Sequence, residues 1–379
     1  MEQVSLWKLF GVFAKMGAFT IGGGYAMLPL IEQEMTSRGW ISQEDIQDII
    51  VLAQGAPGIL AVNMAIYTGH KIRGLKGSIV SAIGAVLPSL VIILLIAMFF
   101  SEFRDNDIVR RIFQGVRPAA VALILVAGVR IAVSGCKEWW TLGHRPRLPA
   151  GRGLPEGLPH LDHPRDPVRV HQRVPAQTEE AMIELLGQLF VTFFFIGLFN
   201  FGGGGAMLSL IQGQVVTAHQ WISQGEFTDI VAISQSTPGP MGINCATYVG
   251  YEVLEEAGYG HLAGVLGSTL ATFAVVLPSF LVFFLIIRVF NKFHESRTFA
   301  DAMRALRPAV AGLIGAAALV MVFSTRWNGL QPQVSLLTEN FPDWKSWVIL
   351  VVAFVLGYTK KAGPIQVFLG AGVLGLLIY

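Results

Sequence analysis

Charge is what this sequence has least of. Asp, Glu, Lys and Arg make up 14% of the 379 residues, against roughly a quarter in an ordinary soluble domain. With 53% hydrophobic residues and a mean hydropathy of +0.58, the chain is excluded from the soluble globular class and belongs in a bilayer. A formal net charge of +2 without any basic stripe excludes nucleic acid as a partner. Cysteine is nearly missing: Cys136 and Cys245 match neither a disulfide framework nor a metal-ligand spacing, and read as small apolar helix residues. No Ser-His-Asp, His-Glu-x-x-His or phosphate-loop pattern occurs, so no catalytic residue, metal or nucleotide cofactor is expected and the chain is not read as an enzyme. Acids placed for an intramembrane proton relay are scarce. Met1 to Phe13 lacks a short apolar region ending at a small-residue cleavage site, so it reads as the start of a first membrane helix.

What the sequence does have, it has twice. Phe19-Thr20-Ile21-Gly22-Gly23-Gly24-Tyr25-Ala26-Met27-Leu28 returns as Phe199-Asn200-Phe201-Gly202-Gly203-Gly204-Gly205-Ala206-Met207-Leu208. Trp40-Ile41-Ser42 returns as Trp221-Ile222-Ser223, and Gln54-Gly55-Ala56-Pro57-Gly58 as Gln235-Ser236-Thr237-Pro238-Gly239. Asn63 with Tyr67 matches Asn244 with Tyr248, Val86-Leu87-Pro88-Ser89 matches Val276-Leu277-Pro278-Ser279, and Arg117-Pro118 matches Arg307-Pro308.

Apolar runs long enough to cross a bilayer pair off in the same order. Leu9–Ile31, Ile49–Gly69, Gly77–Phe100 and Pro118–Cys136 correspond to Leu185–Ala218, Ile230–Tyr251, Leu262–Ile287 and Ala309–Thr325. A final stretch, Trp347–Tyr379, is interrupted at Gly357–Pro364 and is too short for two full crossings, so it predicts a hairpin of two short helices. The serines of Ser42-Gln43-Glu44-Asp45 and Ser223-Gln224-Gly225-Glu226 predict helix N-caps below an interfacial tryptophan. Lys71, Arg73 and Lys76 follow the second run of one copy, whereas Glu252, Glu255 and Glu256 follow it in the other. Under the positive-inside rule the copies are inverted relative to each other. The expected fold is all-α: a polytopic integral membrane protein with two inverted structural repeats and broken membrane helices. The domains are residues 1–136, a connector at 137–181, and residues 182–379.

The connector departs from this pattern. His144 to Glu180 holds six arginines, four histidines and seven prolines with no apolar run. A disordered Arg/Pro-rich linker, a segment translated out of frame with Met182 opening a separate half, and a histidine metal site are three readings of it.

The residues able to carry chemistry sit at the duplicated breaks. Glycine runs inside apolar segments cost about 0.5 to 1 kcal/mol per residue relative to alanine, and broken backbone in hydrocarbon is tolerated only where it is buried or lines a cavity. Gly22, Gly23, Gly24 and Gly202, Gly203, Gly204 therefore mark one pair of unwound points, and Pro57-Gly58 and Pro238-Gly239 a second. Their freed N–H groups, and the helix N-termini that follow, are expected to face an anion. Gln54, Asn63 and Tyr67, with Gln235, Asn244 and Tyr248, are the polar candidates around them. Arg117 and Arg307 are candidate cationic partners, and Lys15 and Arg130 are charges inside apolar runs. The alternative for all of these is close helix packing with polar interhelical bonds, and snorkelling for Lys15.

On Phe19–Gly24, Trp40-Ile41-Ser42, Gln54–Gly58 and Val86–Ser89 with their second copies, the chain resembles the chromate ion transporter family, bacterial inner-membrane proteins of one or two transporter domains. The resemblance covers about Leu6 to Gly135 and Ile183 to Tyr379 and leaves the connector outside. It implies export or exchange of chromate or a related sulfate-like divalent oxyanion across the cell inner membrane, with resistance as an outcome. Many members have proline where this chain has Gly24 and Gly204. The motif is more similar to short single-domain members that work in oppositely oriented pairs. The implied partners are the oxyanion, the lipid bilayer and a second copy in a homodimer, with energy from an ion gradient or potential. A passive anion channel and a non-transporting membrane assembly protein are the alternatives.

Overall fold

The computed structural model describes residues 4–20, 24–103, 106–141, 178–200, 204–293, 315–316, 318–319, 321–328, 331–338, 340–359 and 361–379. The Arg/Pro-rich connector therefore lies almost wholly outside the described residues, as do Gly22, Gly23, Gly202, Gly203 and Arg307.

Each expected unwound point separates two helices. In the first copy α1 (Leu6–Phe19) gives way to α2 (Gly24–Ser37), and α3 (Gln43–Gly55) to α4 (Leu60–Phe103). In the second, α6 (Glu179–Leu198) gives way to α7 (Gly204–Gln212) with a π-turn over Gly213–Ala218, and α8 (Gln224–Ser236) to α9 (Met241–Glu256). The serine caps form as their spacing predicts. Ser42 Oγ accepts from the Asp45 N–H at 3.1 Å. Ser223 and Glu226 complete a reciprocal capping box at 3.2 and 2.7 Å.

Small residues let the helices approach backbone to backbone. A Cβ on Gly17 would lie 2.6 Å from the Ala85 carbonyl oxygen, and one on Gly197 would strike the carbonyl of Val275, so α1 packs on α4 as α6 packs on α10 (Gly260–Phe293). Within α4 the chain reverses at Arg73 and Gly74, where φ reaches +58°. Ser78 Oγ donates to the Ile66 carbonyl at 3.1 Å across that turn. In a continuous helix those residues would stand about 18 Å apart. The second copy repeats the fold-back with α9 and α10: Ser268 Oγ donates to the Thr247 carbonyl at 2.7 Å, and Gly250 meets Gly267.

Large apolar side chains line the outside, among them Leu262, Phe273, Leu285 and Leu369, which water would not tolerate in this density and lipid does. Among the described residues, Leu60–Phe99, Glu179–Leu198 and His261–Leu285 are long and apolar enough to cross a membrane. The protein is an all-α multi-pass membrane protein. The last stretch forms the expected hairpin, α11 (Trp344–Tyr358) and α12 (Pro364–Ile378), packed on α5 (Asp107–Thr141).

Two expectations are corrected. The run Ala309–Thr325 does not continue as helix to its end: β1 (Phe323–Asn328) begins at Phe323 and pairs antiparallel with β2 (Gln331–Leu336). Phe323, Thr325 and Trp327 are residues that suit a pleated strand, and the apolar character of the run is lost at Ser324 to Asn328. Glu252, counted above among loop charges, is buried within α9 because that helix runs on to Glu256.

Candidate functional site

The two Pro-Gly breaks meet at the interface between the repeats, and each is held by the other copy. The Gly58 N–H donates to the Asn200 carbonyl at 2.9 Å, and the Gly239 N–H donates to the Thr20 carbonyl at 2.9 Å. Thr20 and Asn200 end corresponding helices, so the exchange is reciprocal. Both glycines need their lack of a side chain: φ is +114° at Gly58 and +112° at Gly239, and a Cβ there would collide with Ser279 and with Ser89, again from the opposite copy.

These contacts assign the break amides a partner that sequence reasoning did not anticipate. They are bonded to protein carbonyls in this conformation. Pro57 and Pro238 are half-buried at the same turns, and Gly24 and Gly204 open α2 and α7. Asn63 and Asn244 are buried, and their amide groups face the carbonyl ends of the preceding helices. Asn63 Nδ2 lies 3.3 Å from the carbonyl oxygens of Ala53, Ala56 and Pro57. Asn244 Nδ2 lies 3.2 Å from the carbonyls of Ser234 and Pro238 and from Thr237 Oγ1. Each asparagine thus replaces the N–H groups that the break removes from α3 or α8.

Other polar groups around the crossing have no hydrogen-bond partner among the described residues. They are Thr20 Oγ1, Asn200 Oδ1, Asn244 Oδ1, Gln235 Nε2 and the Tyr67 hydroxyl, all on residues that are more than nine-tenths buried. Tyr67 packs edge-on against Phe283, with ring centroids 4.7 Å apart. Tyr248 is buried at the matching place in α9. The side chain of Gln54 lies outside the described residues, as does that of Arg130. A buried polar atom without a partner costs about 1 to 3 kcal/mol, which a bound ion or water would recover.

The cationic candidates are placed elsewhere. Lys15 points outward from α1, 68% exposed, with Glu34 Oε1 at 3.9 Å. Arg117 reaches across the repeats to Asp229 on α8 and donates to both carboxylate oxygens, Nε to Oδ1 at 2.6 Å and Nη2 to Oδ2 at 2.7 Å. The pair is largely buried. Its charge is therefore balanced by protein, the opposite of a cation left free for substrate.

Sequence reasoning passed over Asp229, Thr20, Asn200, Ser89 and Ser279. A signal existed for each. Asp229 matches Asp48 in the first copy just as Arg117 matches Arg307, and duplicated opposite charges in a charge-poor chain imply a pair. The serines sit in the duplicated Val-Leu-Pro-Ser motif, and Thr20 and Asn200 immediately precede the glycine runs.

Broken helices meeting across two copies of one fold, with buried polar atoms at the crossing, define a membrane transport protein built on internal repeats. A family model described as chromate transporter matches residues 7–147 and 187–376. The chain belongs to the chromate transporter family, and its members are transport proteins and not enzymes. It is 26% identical over 343 residues to a probable chromate transport protein of Synechococcus elongatus, covering 84% of each chain. To a chromate transport protein of Cupriavidus metallidurans it is 25% identical over 404 residues, 99% of this chain and 94% of the relative. An uncharacterized transporter of Bacillus subtilis, YwrA, aligns over 191 residues at 25% identity, 95% of its own length but 50% of this chain. No solved structure matches the chain.

Proposed function

We propose that this protein is a secondary transporter that exports or exchanges chromate, or a related sulfate-like divalent oxyanion, across the cytoplasmic membrane. The names of its relatives, chromate transport proteins, support chromate as the substrate. The observation that carries the mechanism is the reciprocal pair of bonds from Gly58 to Asn200 and from Gly239 to Thr20.

In this reading residues 1–136 and 182–379 are two inverted transporter repeats joined by 137–181, and the oxyanion binds where their breaks cross. The Gly58 and Gly239 amides release the opposite carbonyls and turn to the anion, so binding exchanges inter-repeat bonds for substrate bonds. The N-termini of α4 and α9, each equivalent to about half a positive charge, favour the dianion at the same place. Gln235 and Tyr67 supply side-chain donors, with Gln54 and Tyr248 as their counterparts. The glycines at 22–24 and 202–204 and the prolines at 57 and 238 keep the backbone unwound. Asn63 and Asn244 hold the broken ends, and Arg117 with Asp229 fixes α8 against the other repeat. Arg307 completes the expected set, from which the outward-facing Lys15 is left out, and a second copy is the expected assembly partner.

The test is uptake of radiolabelled chromate by liposomes holding the purified chain, with chromate, sulfate or chloride inside and a proton or potential gradient imposed. Saturable uptake accelerated by internal oxyanion is expected. Flux that never saturates and follows only the gradient would identify a channel, and no flux with any oxyanion would overturn the reading.

A further inference from the structure

Between the glycine run and the tryptophan the second copy is one residue longer than the first. The Met35 carbonyl accepts from the Trp40 and Ile41 amides, and the Val215 carbonyl accepts in the same way from Trp221 and Ile222. Residues 36–39 of one copy therefore correspond to residues 216–220 of the other. Gln220, at φ +53°, takes the place of Gly39, at φ +66°. The extra residue is taken up by the π-turn over Gly213–Ala218, a form found mostly as single turns and frequently at functional sites.

The two copies close the adjoining surface differently. In the first, Lys15 on α1 reaches Glu34 on α2 at 3.9 Å, and Arg38 holds the same carboxylate at 2.8 Å while lying 5.3 Å over the Trp40 ring. In the second, Phe195, Gln214 and His219 occupy those places, and no ion pair can form among them. His219 instead stacks on Trp221, with ring centroids 4.2 Å apart, and its Nε2 lies 3.2 Å from Oγ1 of Thr192, which stands where the first copy has Val12. A groove of about 660 Å³ is left between α6 and the segment from Leu210 to His219. Val191, Phe195 and Phe199 line it and are exposed on the outer face of α6.

An outward groove at membrane depth is bathed by lipid tails. This one follows α6 from Gly187 to Phe199, about 18 Å at 1.5 Å per residue, against about 15 Å for the hydrocarbon of one leaflet. Its polar groups gather at one end, where Gln188, Gln214 and His219 stand near the interfacial Trp221. Beyond that end the same stripe of α6 continues to Glu184 and Glu180, and Gln188 Nε2 donates to Glu184 Oε1 at 3.3 Å. Among the described residues no lysine or arginine lines the groove. An acidic mouth repels an anionic headgroup and attracts an ammonium.

We propose that the groove between α6 and the π-turn is a binding site for an ethanolamine phospholipid, and that the strapped surface of the first copy binds none. One acyl chain lies along Val191, Phe195 and Phe199. The ammonium faces Glu184 and Glu180, and Gln214 and His219 offer N–H groups to the phosphate. A choline headgroup fits less well, because its methylated nitrogen has no hydrogen to donate to a carboxylate. Phe199 precedes Asn200, whose carbonyl holds the Gly58 amide, so the lipid touches a helix end on which the crossing depends. An effect of the lipid on flux rests on the transport reading, and the site itself does not.

The experiment titrates the full chain in detergent with palmitoyl-oleoyl phosphatidylethanolamine, phosphatidylglycerol or phosphatidylcholine and follows bound lipid by native mass spectrometry. The ethanolamine lipid is expected to bind about tenfold more tightly than the other two. Gly187→Leu fills the groove from a position where an added Cβ meets nothing within 4 Å. That variant, and the double substitution Phe195→Lys with Gln214→Glu that copies the strap of the first copy, each weaken ethanolamine-lipid binding about tenfold or more. Glu184→Lys moves the preference toward the glycerol lipid. Equal retention of the three headgroups, or binding untouched by Gly187→Leu, would overturn the site. So would a lipid-free dimer that Gly187→Leu dissociates, which would give the groove to a second copy of the chain. If the double variant does not fold, Gly187→Leu and the headgroup comparison on the unaltered chain still decide. Selective lipid retention without chromate flux contradicts the transport reading alone, and chromate flux with unselective lipid binding contradicts this site alone.

Discussion

The break at Gly58 and the break at Gly239 began as one sequence and still share a backbone. Both glycines hold φ near the same positive value, both amides bond to the opposite repeat, and both are clamped by an asparagine five residues on. They differ in one main-chain donor, present at Ile59 and absent at Pro240, and in side chains, among them Asn200 against Thr20 and Ala56 against Thr237. A duplicated scaffold can therefore keep its architecture while the hydrogen-bond donors at its two breaks diverge.

Several substitutions break or sharpen that comparison. The largest effect is expected where the halves are alike: Gly58→Ala and Gly239→Ala each combine a strained φ with a collision, and each lowers stability by about 3 kcal/mol or more, read as loss of folded protein in detergent melts. Removing one member of the inter-repeat ion pair, by Asp229→Ala or Arg117→Ala, costs about 3 to 5 kcal/mol by the same measurement, and the double substitution costs less than the sum. Asn63→Ala and Asn244→Ala cost about 1 to 3 kcal/mol each, because each leaves helix-end carbonyls bare.

The serines separate the halves. Ser279→Ala strips the acceptor from the Ile59 N–H and costs about 1 to 2 kcal/mol, whereas Ser89→Ala, whose hydroxyl donates to the Val86 carbonyl within its own helix turn, costs less than that. Equal costs would contradict the difference drawn between the breaks.

The smallest effect is electrostatic. Lys71, and the Ser42 hydroxyl, hold the Asp45 carboxyl below its ordinary value. A depressed carboxylate contributes stability that is present above its unfolded value near 3.8 and is lost as pH falls through the lower folded value. The pair is exposed, so under about 1 kcal/mol is expected, seen as a slightly shallower acid melt in Lys71→Met. The second copy has Glu252 where Lys71 stands, so its cap at Glu226 gains no such partner from that position.

Much of this was legible in the sequence because it is local. Consecutive glycines, a proline before a glycine, and a serine three residues before an acid each act within one helical turn; the structure shows the breaks at Pro57-Gly58 and Pro238-Gly239 and the caps at Ser42 and Ser223, and begins α2 and α7 at Gly24 and Gly204. The hairpin of α11 and α12 followed from counting apolar residues against bilayer thickness. What could not be read was long-range. Nothing near Gly58 in the chain announces that its amide is bonded to Asn200, or that Arg117 on α5 meets Asp229 on α8. Lys15 was a charge in an apolar run, and only the packing of α1 shows it to face outward. The strand at Phe323 was hidden because it begins in the last three residues of an apolar run whose length argues for helix.

The most direct test of the paired-break mechanism is amide hydrogen exchange of residues 56–60 and 237–241, measured on the purified protein with and without chromate. The Gly58 and Gly239 amides lie in one reciprocal interface, so the mechanism predicts that both stretches change protection together when the oxyanion is added, at the concentrations that saturate flux. Unchanged exchange at both stretches, while chromate is still transported, would contradict it.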